Sequence, residues 1–292
     1  MQAPVSRRTF ITRTAAAACA AGLSPLALGA AEEAAGSGFD FPLVDYHVHL
    51  DNSTIDKALE LARDRGIKFG IVEHAGTKEN HYPTILSNDA ELRRYLAMLD
   101  GKPVFKGLQA EWTDLMSCFS PEALSRLDYV LTDAMTFPGK DGRRARLWTP
   151  EAAQQVDMSD KQAFMDRFVD WHVEVMAGEP VDILANTTWL PAGMLNEWDF
   201  YWTEPRMQKV IDAALKYGVA LEISASYKVP KLPFLKLAKT AGVKFSYGSN
   251  GRYPNMGKLD YCFEVARQLD LKPADLFKPA PDGRKTMQRR KV

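Results

Sequence analysis

Three cysteines in 292 residues, Cys19, Cys118 and Cys262, are too few and too widely spaced for a disulfide framework or a cysteine-based zinc site. An excess of charge of either sign is lacking as well. Lysine plus arginine and aspartate plus glutamate each number 37, for a formal net charge of zero, so bulk charge offers no surface to a nucleic acid or another polyanion. Beyond residue 30 no apolar run is long enough to span a bilayer. That part of the chain also contains no internal repeat and no low-complexity segment. A disulfide scaffold, a polyanion binder and a mature membrane span are therefore not expected.

Residues 1–30 read as an address rather than as fold. Ser6-Arg7-Arg8-Thr9-Phe10-Ile11 sets paired arginines before an apolar residue, and residues 14–30 continue without a charge. This is the pattern of a twin-arginine export signal. The stretch is alanine-rich, is broken by Pro25 and ends in small residues suited to cleavage near Ala30; a retained N-terminal anchor is the alternative. Cys19 lies too early in it for lipid attachment and would leave with the signal. The expected address is the periplasm or another exported location, with the twin-arginine export machinery as a partner. That route carries folded cargo, often with a cofactor in place, which suits a metalloprotein loaded before export. Residues 31–40 read as a linker, 41–275 as one folded unit and 276–292 as a solvated basic tail.

From residue 43 onward, short β-rich runs alternate with helical patterns. Strands are expected over 43–47, 68–72, 104–109, 129–132, 181–185, 219–224 and 243–247, and helices over 53–65, 89–99, 121–127, 159–177, 205–217, 231–241 and 259–269. Continuous apolar strands alternating with helices predict a parallel sheet wrapped by helices. So many units in one domain favour a closed sheet: an α/β fold, specifically a distorted (β/α)7 TIM-like barrel, whose chemistry belongs at the C-terminal ends of its strands.

The first strand ends in Val44-Asp45-Tyr46-His47-Val48-His49. Alternation along an extended strand sends His47 and His49 out of one face, so their imidazoles converge on one ion. Other polar residues sit at strand ends: Glu73 and His74 after the second strand, Glu111 after the third and Asp133 after the fourth. Asn186 comes after the fifth, Ser224 after the sixth, and Asn250 with Arg252 after the seventh. A ring of candidate ligands at one end of a barrel points to a metal site.

These motifs resemble the PHP family, named for polymerase and histidinol phosphatase. The stretch from His47 to Asp56 is similar to its first motif, and Glu73-His74-Ala75-Gly76 is similar to its second. Gly107-Leu108-Gln109-Ala110-Glu111 resembles the strand that delivers its bridging glutamate. The resemblance implies a PHP-like barrel and metal-dependent hydrolysis of phosphate esters. It assigns His47, His49 and Glu111 to one ion and Asp56 and His74 to another. Family ligands are replaced at three strand ends: Asp133 and Asn186 each stand where histidine is usual, and Asn250 and Arg252 stand where the closing motif has aspartate and histidine. A reduced site of one or two divalent ions, zinc, manganese or iron, is therefore expected.

The other candidates each carry two readings. Arg252 either holds the substrate anion in place of a cation or makes a surface salt bridge. Asp133 is either a ligand or a loop cap, and Asn186 either a weak ligand or turn chemistry. His81 is either a general acid or a solvent-facing loop residue, Glu73 is placed to hydrogen-bond a ligand imidazole, and His172 to pack within its helix or face solvent. Two long loops, 136–150 with its arginines and 189–202 with its aromatics, are placed to shape a pocket for a small anionic substrate that also carries a ring, the other reading of the aromatics being a small core under their loop. The expected function is an exported metal-dependent hydrolase, a phosphoesterase first. An amidohydrolase and a catalytically degenerate PHP-like binding protein are the alternatives.

Overall fold

The computed structural model describes residues 38–279. The expected export signal, most of the expected linker and most of the expected basic tail lie outside the described residues. Eight parallel strands form the main sheet: β1 (Val44–Val48), β2 (Lys68–Ile71), β3 (His74–Ala75), β4 (Phe105–Ala110), β5 (Tyr129–Thr132), β8 (Ile183–Leu184), β9 (Ala220–Ser224) and β10 (Phe245–Gly248). A separate antiparallel hairpin, β6 (Thr136–Pro138) and β7 (Arg144–Arg146), rises after β5.

The spatial order is β1-β2-β4-β5-β8-β9-β10, with β3 also paired to β4. Because β3 continues the line of β2 after Val72 and Glu73, the eight strands make seven staves. Backbone hydrogen bonds from His49 N to Gly251 O (2.9 Å) and from Gly251 N to His47 O (3.0 Å) join the first stave to the last. The result is the expected α/β (β/α)7 TIM-like barrel, nearly closed. Among the described residues no helix is long and apolar enough to cross a membrane.

Local sequence explains the helices that wrap it. Helix Ile55–Arg65 starts at Thr54, whose side chain accepts from Lys57 N, and stops at Gly66 with φ 61°, a left-handed conformation that glycine adopts without strain. Helices Lys161–Gly178 and Glu204–Tyr217 pack side by side. Their buried faces, including Phe164, Phe168, Val210 and Ile211, belong to the main apolar core.

The barrel interior has two layers. Tyr46, Val72, Tyr129, Leu131, Ile183, Ala185 and Ala220 form an apolar plug in its lower part. The Tyr129 hydroxyl donates to Tyr46 O at 2.7 Å. A Cβ at Gly70 or Gly107 would overlap the Tyr129 side chain, so these two glycines let the tyrosine lie across the neighbouring staves. Above the plug the lining becomes polar.

A bulge in β1 marks the change of layer. Asp45 pairs with Phe69 and Val48 with Ile71, so three steps on β1 match two on β2. An extra residue in one strand re-aims the side chains beyond it. Tyr46 and His47 both turn inward as a result, the tyrosine into the apolar plug and the histidine into the polar layer above.

Candidate metal centre

His47, His49 and Asp51 occupy alternate positions from the end of β1 into the loop, and β3 begins with His74. His49 is 1 % exposed and His74 2 %. Both ring nitrogens of His49 and Nε2 of His74 are buried without a hydrogen-bond partner. His74 Nε2 lies 3.8 Å from Asp51 Oδ1, a charge attraction too long to be a hydrogen bond. One donor atom from each of His49, Asp51 and His74 falls within 4.8 Å of the others, so the three residues form a group able to hold a metal ion.

The donor chemistry fits a divalent ion. Burial, reinforced by the charges of His47, His74 and Arg252, holds the His49 pKa well below its ordinary value, and neutral imidazole is the ligand form. The Asp51 carboxyl is held below the usual range, chiefly by His74 and then by Arg252, so it is an anion at neutral pH. Two imidazoles and one carboxylate suit zinc, iron and their neighbours. For His74, burial lowers the pKa, but the attraction of Asp51 and Glu111 outweighs it and pushes it up to about 9. Its Nδ1 is 2.5 Å from Glu111 Oε1, the carboxylate–imidazole pairing that orients a metal-ligating histidine.

Deeper in the barrel, His47 is fully engaged. Its Nδ1 is 2.7 Å from Glu222 Oε1 on β9, and its Nε2 is 3.1 Å from Gln109 Oε1 on β4. Burial lowers its pKa, but Glu222, Asp45 and Asp133 together raise it above the ordinary value. Glu222 Oε2 also accepts from Asn186 N at 2.9 Å. A Cβ on Gly248 would overlap the Glu222 carboxylate, so β10 carries glycine where this pair needs room.

Asp133 faces the same interior. Met135 N donates to its Oδ1 at 2.9 Å and Asn186 Nδ2 reaches its Oδ2 at 3.4 Å, while Ser224 Oγ donates to Asn186 Oδ1 at 2.9 Å. Burial first, then the charge of Glu111, pushes the Asp133 pKa up to about 6. Glu73 accepts from the backbone N–H of His74 at 3.1 Å, and its carboxylate is not bonded to that ring.

Several candidates lie elsewhere or play another part. Asp56 sits in the first turn of helix Ile55–Arg65 with its side chain 82 % exposed and Lys102 at 3.5 Å, so the acidic ligand expected seven residues after His49 points to solvent. His81 is an exposed left-handed residue that ends a short 3-10 turn. Arg252 Nε donates to Asp51 Oδ2 at 2.8 Å and Nη1 to Asn250 Oδ1 at 2.7 Å. It therefore clamps a candidate ligand, and Asn250 serves as the clamp's acceptor. His172 is buried, with Nδ1 2.7 Å from Phe168 O. Trp189, Trp198, Tyr201 and Trp202 are buried in the main core, and only Phe200 of that aromatic group is exposed. Of the two readings of the aromatic loop, the small core is the one the burial supports.

Four participants were not among the residues expected from the sequence: Asp51, Glu222, Gln109 and Tyr82. Tyr82 stacks on His74 with ring centroids 3.8 Å apart. Asp51 had a signal, since it continues the alternation of His47 and His49. Glu222 and Gln109 had one too, as polar residues inside otherwise buried parallel strands.

This is a parallel α/β barrel with a group able to hold a metal at the mouth formed by its strand ends. No protein-family model and no curated protein matches the chain. Among solved structures it is similar to an HpcH/HpaI aldolase/citrate lyase family protein from Burkholderia cenocepacia J2315, at 16 % identity and a TM-score of 0.33, over 78 % of this chain and 92 % of that one. It is also similar to an HpcH/HpaI aldolase from Desulfitobacterium hafniense DCB-2, at 10 % identity and a TM-score of 0.36, over 84 % and 98 %. At these values substrate and chemistry do not transfer.

The expected PHP membership is corrected: the solved structures to which the chain is similar belong to a different barrel family. The phosphoesterase, the amidohydrolase and the PHP-like binding protein are corrected with it. The geometry shows a physical reason. The group able to hold a metal is His49, Asp51 and His74, whereas His47, expected beside His49 on one ion, is bonded to Glu222 and Gln109, and Glu111 is bonded to His74.

Proposed function

We propose that this chain is a divalent-metal-dependent enzyme that moves a proton at a carbon next to the carbonyl of a small anionic substrate, a step that opens the way to making or breaking a carbon–carbon bond. The observation that carries the reading is the set of buried, unpartnered imidazole nitrogens of His49 and His74 beside the Asp51 carboxylate. Buried polar atoms are almost always satisfied, and nitrogens left open around a common point beside a carboxylate await a cation. One ion, zinc, manganese or iron, would be held by His49, Asp51 and His74, where it supplies Lewis acidity toward a substrate carbonyl.

The chain's own residues provide the rest. Arg252 holds Asp51 in place and Glu111 holds His74. Asp133 is the proton carrier: with a pKa near 6 it is mostly ionised at neutral pH yet basic enough to take a proton from carbon. Asn186 and the Met135 N–H fix the direction of its oxygens. The apolar plug around Tyr129 closes the barrel to water from below.

The test is metal analysis and then isotope exchange. Protein loaded with Zn2+ should bind one ion per chain and exchange the methyl hydrogens of pyruvate with D2O, as read by mass spectrometry. Asp133→Asn should keep the ion and lose exchange by about 100-fold or more, the usual worth of a positioned general base. Stoichiometric metal without exchange on pyruvate or other 2-oxo acids would refute the proton-transfer reading. No metal uptake would refute the centre itself.

A further inference from the structure

Three arginines approach the mouth, and two of them are committed. Arg252 is held by Asp51 and Asn250. Arg144 donates to Asp114 Oδ2 at 2.7 Å and Asn80 Oδ1 at 2.6 Å, with Trp112 beneath it. Arg146 is different. Its Nη2 is buried with no hydrogen-bond partner, and among the described residues no carboxylate forms an ion pair with it.

Its position is defined by the hairpin. Arg146 ends β7 opposite Thr136, and the next residue, Leu147, donates its N–H to Met135 O. The same Met135 donates to Asp133, so the proposed proton carrier and Arg146 hang from one short piece of backbone. The guanidinium carbon lies 4.9 Å from the Tyr82 ring centroid and 5.9 Å from that of Trp148. Tyr82 is also the ring stacked on His74. One aromatic ring therefore links the guanidinium to the metal group.

We propose that Arg146 is the specificity-determining residue of this site, binding the carboxylate of a compact monoanionic substrate whose carbonyl end reaches His49, Asp51 and His74. The inference rests on the metal-site reading and adds the substrate's anchoring group. A buried guanidinium N–H without an acceptor is costly, and the acceptor that matches its planar fork is a carboxylate. The Tyr82 and Trp148 rings lie beside that fork and leave its charge intact. Since Arg252 and Arg144 are already paired, Arg146 is the arginine of the three left to anchor the ligand, and one planar fork away from the metal group matches a single carboxylate better than a phosphate dianion. The single intervening ring limits the distance between the two anchors and so favours a substrate of few carbons.

The experiment is calorimetric titration of full-length protein with pyruvate and, separately, with inorganic phosphate, in the presence and absence of saturating Zn2+. Wild type, Arg146→Ala and Arg146→Lys are compared, with circular dichroism as a check on folding. Arg146→Ala should bind Zn2+ within about twofold of wild type yet bind pyruvate about tenfold or more weakly, the range for losing a charged hydrogen bond. Arg146→Lys should recover part of the loss, because charge returns without the fork. Should Arg146→Ala not fold, Arg146→Lys alone must show several-fold weaker pyruvate binding. Equal pyruvate affinity in wild type and variants, or tighter binding of phosphate than of pyruvate, would overturn the proposal. Failure of the wild type to take up Zn2+ removes the metal reading instead, and the metal-free titrations then decide the role of Arg146 by themselves.

Discussion

Replacing His49 with leucine should stabilise the metal-free protein while destroying its response to metal. His49 is buried and neutral, so one ring nitrogen is a donor and the other an acceptor, and beyond a weak contact with the Gln109 side chain neither has a partner of hydrogen-bond geometry. Each unmade hydrogen bond at a buried neutral group costs about 1–3 kcal/mol. An apolar substitution of similar volume costs less than about 1.5 kcal/mol in repacking. The balance favours His49→Leu by about 1 kcal/mol or more, which in a domain of this size raises the melting temperature by about 2–4 °C per kcal/mol. The assay is thermal unfolding in EDTA and again in Zn2+. In EDTA the variant should melt above wild type. With Zn2+ at a hundred times its dissociation constant, wild type should gain about 2.7 kcal/mol and the variant almost nothing, so the order reverses. A variant less stable than wild type in EDTA, or one that gains as much from Zn2+, would show that the imidazole is satisfied by something other than a cation.

In the metal-free protein His74 has its pKa raised to about 9, so protonated His74 stabilises the fold fully below its unfolded value near 6.5, and that contribution is lost as pH rises through 9. Urea denaturation between pH 6.5 and 9.5 should show this loss, and His74→Gln should flatten it. The same proton must leave before a metal binds, so Zn2+ affinity measured against a competing chelator should rise about tenfold per pH unit from 6.5 toward 9; an affinity independent of pH would contradict the assignment of His74 as a ligand. Gly248→Ala should cost about 1–3 kcal/mol by overpacking against the Glu222 carboxylate, read from the urea midpoint, and a neutral result would mean that the His47–Glu222 pair has room to shift.

The barrel was legible because two periodicities agree along the chain: apolar strands of about five residues recur between amphipathic helices, and polar residues gather at the strand ends. His49 and His74 could be placed by that rule alone. His47 was placed on the correct face but assigned the wrong neighbours. Its bonds run to Gln109 and Glu222, 62 and 175 positions away in sequence, and the order in which staves close a barrel is not written in local pattern. The β1 bulge was hidden for a related reason: it depends on how β1 aligns with β2, and β1 carries no glycine to announce it. Asp56 shows the opposite failure. A motif spacing borrowed from another family outweighed the helix signal of Thr54, whose N-cap puts Asp56 in the first turn facing Lys102. Alternation continued by two residues past His49 would have selected Asp51.

The two-layer interior explains how one barrel can be stable and still leave polar atoms unpaired. Below the bulge, Tyr46, Tyr129 and their apolar neighbours fill the space and satisfy their hydroxyls on backbone or ring contacts. Above it, His47, Glu222, Gln109 and Asn186 form a bonded frame spanning four staves. The frame is rigid because its members have partners, and it sits beneath His49, whose ring nitrogens have none of hydrogen-bond geometry. Strain of this kind persists where the surroundings over-determine it and where function requires it. If the frame's purpose is to hold His49 open, then Glu222→Gln, which keeps the shape but removes the charge that balances His47, should lower Zn2+ affinity although Glu222 is not a ligand. A control at the equally buried but remote His172, changed to glutamine, should leave Zn2+ affinity unaltered. Equal losses in both variants would mean that affinity tracks global stability, and the frame would then have no specific part in presenting the metal group.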